Sequence, residues 1–447
     1  MSGDYSRERF DPSRHFSGVR LQQGRVQLDA DWNEEVAIRQ RRQTAGTLDT
    51  VGRWGVPPQT PEGFRVGFAG SGLTIGPGRL YIDGHLAENH GRSPAFDPLL
   101  AETVGTQPLP FDEQPYRRSP AAALPAAGVH LAYLVVWQRE VDALQAPDLV
   151  EPALGVDTTT RTQTAWQVRL HPVPGLTALP PECPAELPGW TALTAPSAGR
   201  LTVTTVPVDA AEAPCELPPS GGYRGLENQL YRVEIHDVDA TGKARFKWSR
   251  DNATVATAVV DVPGARQLTV ASLGRDDVLG FHPGEWIELV DDVGELGAPF
   301  APGFMARLVE PVEGRTLTLD RDLPATAQSL AGRPDDIAAS HLRVRRWDQS
   351  RGVDADGLLV VDAAAPATLE AGIRVQFGTV AGGQFHLGDY WLFAARTSGA
   401  TVDRLTAAPP AGVHRHYCPL ALVDFGQREV LDCRVRFPAL GDVLGLF

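Results

Sequence analysis

Residues 231–262 read YRVEIHDVDATGKARFKWSRDNATVATAVVDV, and this stretch sets the expectation for the whole fold. It reads as two or three strands separated by turns at residues 239–242 and at Asp251 and Asn252, where Asp, Asn and Gly supply turn chemistry. The same grammar continues in both directions. Downstream, short apolar runs bounded by Gly, Pro or Asp recur at 286–290, 306–309, 316–319, 341–347, 358–361, 373–377, 390–394 and 417–423. Upstream, LTIGPGRLYIDGHL (73–86) alternates around two glycine turns as a hairpin meander does, and strands are expected at 129–137, 165–170 and 200–206.

Only the first 60 residues read differently. A polar opening leads to Val26, Gln27 and Leu28, after which Asp29 or Asp31 is expected to cap a helix through Trp32, Val36, Ile38 and Arg42. Leu48, Val51 and Trp54 extend it until Gly52, Gly55, Pro57 and Pro58 stop it. Elsewhere 45 Gly and 37 Pro break the chain into segments too short for long helices.

The expected fold class is therefore mainly β, a multi-domain β-sandwich or small-barrel architecture with one N-terminal helix and long Pro/Gly-rich loops. At 447 residues the chain has room for about three average domains. The expected division is an arm and helix (1–60), a first β domain with a Pro-rich insertion (61–175), a Pro-rich linker (176–222), a central barrel or sandwich (223–347) and a C-terminal β region (348–447). Residues 92–127 hold seven prolines and read as a long surface loop.

Bulk charge narrows the function. Lys plus Arg number 41 against 55 Asp plus Glu, a net charge of −14, which opposes a nucleic-acid partner. No apolar run approaches the ~20 residues that cross a bilayer, and residues 1–10 are charged where a secretory signal is apolar. Synthesis in the cytoplasm without a signal peptide or membrane insertion is the expectation. The four cysteines, Cys183, Cys215, Cys418 and Cys433, lack zinc-knuckle spacing, and a single bridge from Cys183 to Cys215 is conceivable.

Each cluster with chemical potential has a plainer reading beside it. Asp29, Asp31 and Asn33 alternate as calcium ligands do, but Glu34 and Gln40 stand where that loop needs glycine and a bidentate carboxylate. Asp354 and Asp356 before Gly357 lack following oxygen ligands and read as a turn. His414, His416 and Cys418 share strand period and form the best metal candidate, set against strand-end histidines that are simply hydrogen-bonded. Glu234, His236, Asp237 and Asp239 suggest acid, base or ligand chemistry, while the turn at 239–242 explains the aspartates more simply. Ser71 and Ser249 lack a nucleophile elbow, and the sole Gly-Lys pair, Gly242 and Lys243, is not a phosphate loop. The pairs Asp276 and Asp277, Asp291 and Asp292, and Asp335 and Asp336 read as turn and surface residues, because neighbours on a strand point to opposite faces. No catalytic residue, cofactor or metal is assigned, and no enzyme is expected.

The string YSRERFDPSRHFSGVRLQQGRVQLDADWNEE (5–35) resembles the opening of an uncharacterised protein family encoded with bacterial extracellular contractile injection systems, which are phage-tail-like particles. GPGRLYIDG (76–84) is similar to segments of phage baseplate and fibre proteins. The resemblance continues through GYRGLENQLYRVEIH (222–236), FKWSRDNATVA (246–256), LGDYWLFAAR (387–396) and HRHYCPLALV (414–423). It implies a particle component assembled from many copies with partners, and it does not imply a position in the particle. The leading expectation is a structural subunit at the baseplate or another terminal assembly, partnered by other particle subunits and by further copies of itself, and released outside the cell as part of the particle.

Tyr5, Arg7, Arg9, Phe10, Arg14, His15, Phe16 and Arg20 mix aromatic and guanidinium groups as protein interfaces do. Two readings stay open for them: an arm that docks on a partner, or a loop folded back on its own chain. The alternative function is a carbohydrate-binding or carbohydrate-cleaving appendage, motivated by nine Trp residues on a β scaffold.

Overall fold

The computed structural model describes residues 3–93, 97, 99, 106–117, 123–206, 222–297, 300–310, 314–380 and 383–438. The chain is mainly β and its strands gather into several antiparallel sheets. Among the described residues no helix is long and apolar enough to cross a membrane.

The strands Val129–Val141 and Arg161–Pro172 form a long ribbon, in register from Val141 opposite Arg161 to His130 opposite Pro172. Arg415–Asp424 pairs on the other side of Val129–Val141, and Glu429–Asp432 closes that edge. Side chains alternate across a strand, so Leu134 and Val136 enter one core with Phe64, Leu80, Ile82 and Trp166, while Tyr133, Val135 and Trp137 enter another with Leu296. Burial on both faces explains why 129–137 is continuously apolar instead of alternating.

A second body is a sandwich. One sheet orders Leu359–Val360, Ala244–Ser249, Gln229–Val238, Tyr390–Arg396 and Thr401–Val402, and the facing sheet orders Gly199–Thr205, Ile373–Thr379 and Ala367–Thr368. Tyr231, Val233, Ile235, Phe246 and Trp248 meet Val203, Val375 and Phe377 between them. The third body is a six-stranded sheet through Trp286–Val290, Arg343–Trp347 and Ala256–Gly264, with Ile287, Leu289, Val344, Val259 and Leu317 in its core.

The sheets draw strands across the sequence-based limits. The last hundred residues complete both the sandwich and the first body, and 223–347 is divided between the sandwich and the six-stranded sheet. Alternation marks a strand but not its partner, so linear blocks and sheets need not coincide.

Several local expectations are corrected. The helix spans Asp29–Val51, with Leu28 at the cap position and no side-chain cap; Gly52 ends it with its N–H bonded to Leu48 O at 2.8 Å. Trp54 lies instead in a strand opposite Ile82. The Pro-rich stretch contributes Leu109 and Phe111 to the first core, although parts of 92–127 lie outside the described residues. Cys183 is bridged to Cys433, 250 residues away, with a Cα–Cα distance of 5.6 Å. Cys215 lies outside the described residues, and cysteine spacing alone does not fix connectivity.

Candidate protein-docking surface

The N-terminal segment divides into a pinned part and a displayed part. Gly3 O accepts from Asn252 Nδ2 at 2.9 Å, and the Tyr5 hydroxyl bonds Glu140 Oε1 at 2.9 Å and Thr160 Oγ1 at 2.6 Å. Ser6 donates its N–H to Asp29 at 2.7 Å, while Arg396 donates to Ser6 O at 2.6 Å. Arg9 pairs with Asp31 at 2.5 Å. The two aspartates expected to cap the helix therefore clamp the arm from the first helical turn, where negative charge also suits the helix dipole. Tyr5, Arg7, Arg9 and Phe10 are half-buried on their own chain; Arg14, His15, Phe16 and Arg20 are exposed.

Residues 16–36 display apolar side chains to solvent. Val26 is 84% exposed, Leu21 70% and Trp32 62%, and Phe16, Leu28 and Val36 are also exposed. Among the described residues, these six account for over a third of the sixteen large exposed apolar side chains, in a span of 21 residues. Such a concentration makes this segment the candidate interaction surface, whereas single exposed apolar residues carry no such signal. The segment is tied to the helix: Val19 donates its N–H to Glu35 Oε2 at 2.6 Å, Glu35 pairs with Arg39 at 2.6 Å, and Arg14 stacks 4.3 Å from the Phe16 ring centroid.

The helix in turn rests on the body. Ala30 and Ile38 are buried, and Gln40 bonds Gln138 at 2.5 Å. Thr44 lies against the turn at Gly84, whose φ of +82° no β-carbon tolerates well; an added Cβ would stand 2.3 Å from Thr44 O.

Elsewhere in the molecule the sandwich and the six-stranded sheet meet through charged faces. Lys247 Nζ stands 2.5 Å from Glu288 Oε1 and 3.2 Å from Glu234 Oε1, and Arg232 pairs with Glu234 at 2.6 Å. Trp347 Nε1 donates to Glu288 Oε2 at 2.9 Å, and Arg345 pairs with Glu295 at 3.6 Å. Arg343 pairs with Glu295 and, at 3.1 Å, with Asp292, which also bonds His341 at 2.7 Å. Burial pushes the Glu234 carboxyl up, but Lys247, Arg232 and Arg345 overcome it and hold the group well below the usual range. The same contest, with Arg343 and Arg345 as the cations, brings Glu295 down to about 2. Burial, with the Lys247 charge beside it, lowers His236 to about 4. Most of its polar atoms are paired, although Arg345 Nε is buried without a hydrogen-bond partner among the described residues, and a network of paired buried charges rigidifies a junction.

The sequence candidates divide accordingly. Glu234 and His236 belong to this network, whereas Asp237 pairs with Arg245 at 2.5 Å and Asp239 accepts from the Thr241 and Lys243 amides of its turn. Asp292, read as a surface residue, is fully buried; its acceptor role depends on Arg343 and His341, about 50 residues away. Asp354 and Asp356 both bond Arg245 at 2.8 Å.

His416 bonds Asp83 at 3.0 Å and its ring centroid lies 4.4 Å from that of His85, which burial and the His416 charge lower to about 4. His414 is exposed, and Cys418 turns into the first core. Among the described residues no three His, Cys, Asp or Glu side chains are arranged to hold a metal ion. Asn33 is half-buried in the helix; Ser71 lies in a tight turn and Ser249 is buried at a strand end.

Sequence reading missed Asn252, Glu140, Glu288 and Arg345. The available signal was Arg343 and Arg345 at alternate positions of one strand and Glu288 inside the otherwise apolar run 286–290, charges that a strand buried on both faces carries only where another charged surface meets it.

A search of curated proteins and a search of solved structures each return no match. A family model, described as a family of unknown function (DUF6519), matches residues 1–173 and 191–419. That is well over half of the chain, and the protein belongs to this family.

Proposed function

We propose that this protein is a structural subunit of a phage-tail-like contractile particle, at the baseplate or another terminal assembly, acting through protein contacts. The observation that carries the reading is the exposed apolar set of Phe16, Leu21, Val26, Leu28, Trp32 and Val36, on the segment whose sequence resembles that family's opening. Large apolar side chains gathered on an anchored segment favour association, because covering them releases water at about 25 cal/mol per Å². The pinned residues 3–10 supply the complement. By fixing the segment to three parts of the body, through Glu140, Asn252 and Arg396, they lower the entropy lost when the surface docks.

The carbohydrate alternative draws on Trp side chains. Six of the nine are buried, Trp54 and Trp190 are half-buried, and Trp32, 62% exposed, is the one exposed indole, so that reading has a single open platform to work with.

Gradient purification of particles from the producing cells, followed by quantitative mass spectrometry, tests the proposal. Recovery of this chain in fixed ratio to the sheath subunit supports it. Particles that contract normally and contain none of this chain would refute it.

A further inference from the structure

The sandwich is a barrel left open along one seam. On one side the two sheets are joined, since Leu201 and Val203 accept and donate backbone bonds with Ala408 and Leu405, next to the strand Thr401–Val402. On the other side the edges are Leu359–Val360 and Ala367–Thr368. Between them lies a groove of about 1130 Å³.

Among the described residues both edges present free backbone valences. The Val361 amide bonds Ala244 O at 2.9 Å and the Leu369 amide bonds Ile373 O at 3.0 Å. Val360 stands opposite Arg245 and Thr368 opposite Arg374. In an antiparallel ladder the bonding direction alternates, so the N–H and C=O of Val360 and Thr368 point outward to the groove.

The groove is cationic in a protein of net charge −14. Arg224, Lys243 and Arg351 line it, and among the described residues none of the three stands in an ion pair. Of the lining carboxylates, Asp354 is neutralised by Arg245 at 2.8 Å and Glu370 by Arg250 at 3.0 Å. Among the described residues Asp362 alone of these has no cation partner, and it accepts from the Ala364 amide at 2.8 Å.

We propose that this seam binds an extended acidic peptide segment of a partner protein, which adds a strand between the two edges. Val360 and Thr368 supply main-chain hydrogen bonds, and Arg224, Lys243 and Arg351 pair with carboxylates of the segment. Charge complementarity selects an acidic segment, and the paired edges select a peptide over other polyanions. The site lies apart from residues 16–36 and stands whether or not the particle reading does.

The test is fluorescence anisotropy at low salt with the full chain and a labelled decapeptide alternating Glu and Thr. Two comparison probes are a decapeptide alternating Glu and Pro and an oligouronate of equal charge. Saturable binding of the Glu-Thr peptide is expected, at least tenfold weaker for the Arg224→Glu, Lys243→Glu, Arg351→Glu triple variant. Because all three side chains are exposed, the variant should keep the parent's melting temperature. The Glu-Pro peptide, which lacks alternate amide donors, and the oligouronate should each bind at least tenfold more weakly. Absence of Glu-Thr binding, binding unaffected by the triple variant in its folded form, or equal binding of either comparison probe overturns the proposal.

Discussion

Lys247 Nζ lies 2.5 Å from Glu288 Oε1 across the boundary between the sandwich and the six-stranded sheet, and both residues are buried. The pair joins two sheets whose hydrophobic cores lie on their opposite faces. This layer of hydrogen-bonded charges lies beside an apolar cluster of Trp286, Met305, Trp347 and Leu358, and the two together hold the bodies in one orientation. Removing one partner leaves the other charge uncompensated, which typically costs about 3–5 kcal/mol.

Lys247→Met should therefore destabilise the protein by about 3 kcal/mol, read as a lower urea midpoint. A loss under about 1 kcal/mol, the range of an exposed pair, would show that the network does not bind the sheets together.

Acid should weaken the same junction. The folded-state value of His236 is about 4 against an ordinary 6.5, so between these values the unfolded chain binds a proton that the folded chain refuses. Stability then falls as pH drops from about 6.5 to about 4, by up to ~1.4 kcal/mol per pH unit, and is flat for this group below that. Asp251, raised to about 6 by burial and the nearby Asp348 carboxylate, titrates in the opposite sense between about 3.8 and 6. Comparison with His236→Gln isolates the histidine. The parent should lose more stability than the variant on going from pH 6.5 to 4.5 in urea titrations, and parallel curves would contradict the assignment.

The Cys183 to Cys433 bridge closes a loop of 250 residues, and removing a native bridge costs about 2–5 kcal/mol. Cys183→Ser should lower the melting temperature of the oxidised protein and abolish its sensitivity to reductant. Non-reducing peptide mapping should recover Cys183 joined to Cys433. A peptide joining Cys183 to Cys215 would contradict the connectivity. In the proposed setting the bridge forms on release, because the cytosol keeps thiols reduced.

Much of the fold was legible because it rests on local chemistry. Gly84 and Gly242 mark turns that only a positive φ allows, and the apolar runs at 286–290 and 390–394 became buried strands. The partner of each strand was not legible. Nothing in 415–424 says that it will lie beside 129–141, since pairing is set by tertiary packing. The candidate surface was half legible. Aromatic and arginine content flagged residues 5–20, but the division between pinned Tyr5 and displayed Phe16 depends on Glu140 and Thr160, over 130 residues away. The charge network was only partly legible: Glu234 and His236 were flagged for acid, base or ligand chemistry, but Asp292 read as a surface residue, and nothing local says that Lys247 will stand opposite Glu234 and meet Glu288 of another sheet.

The central claim is that residues 16–36 are a docking surface and not a passive cover. The most direct measurement is incorporation of a Leu21→Ser, Val26→Ser, Trp32→Ser variant into particles made by cells lacking the native chain. These side chains are exposed, so the isolated variant should melt with the parent while its abundance in purified particles falls at least tenfold. A variant incorporated as fully as the parent would contradict the account.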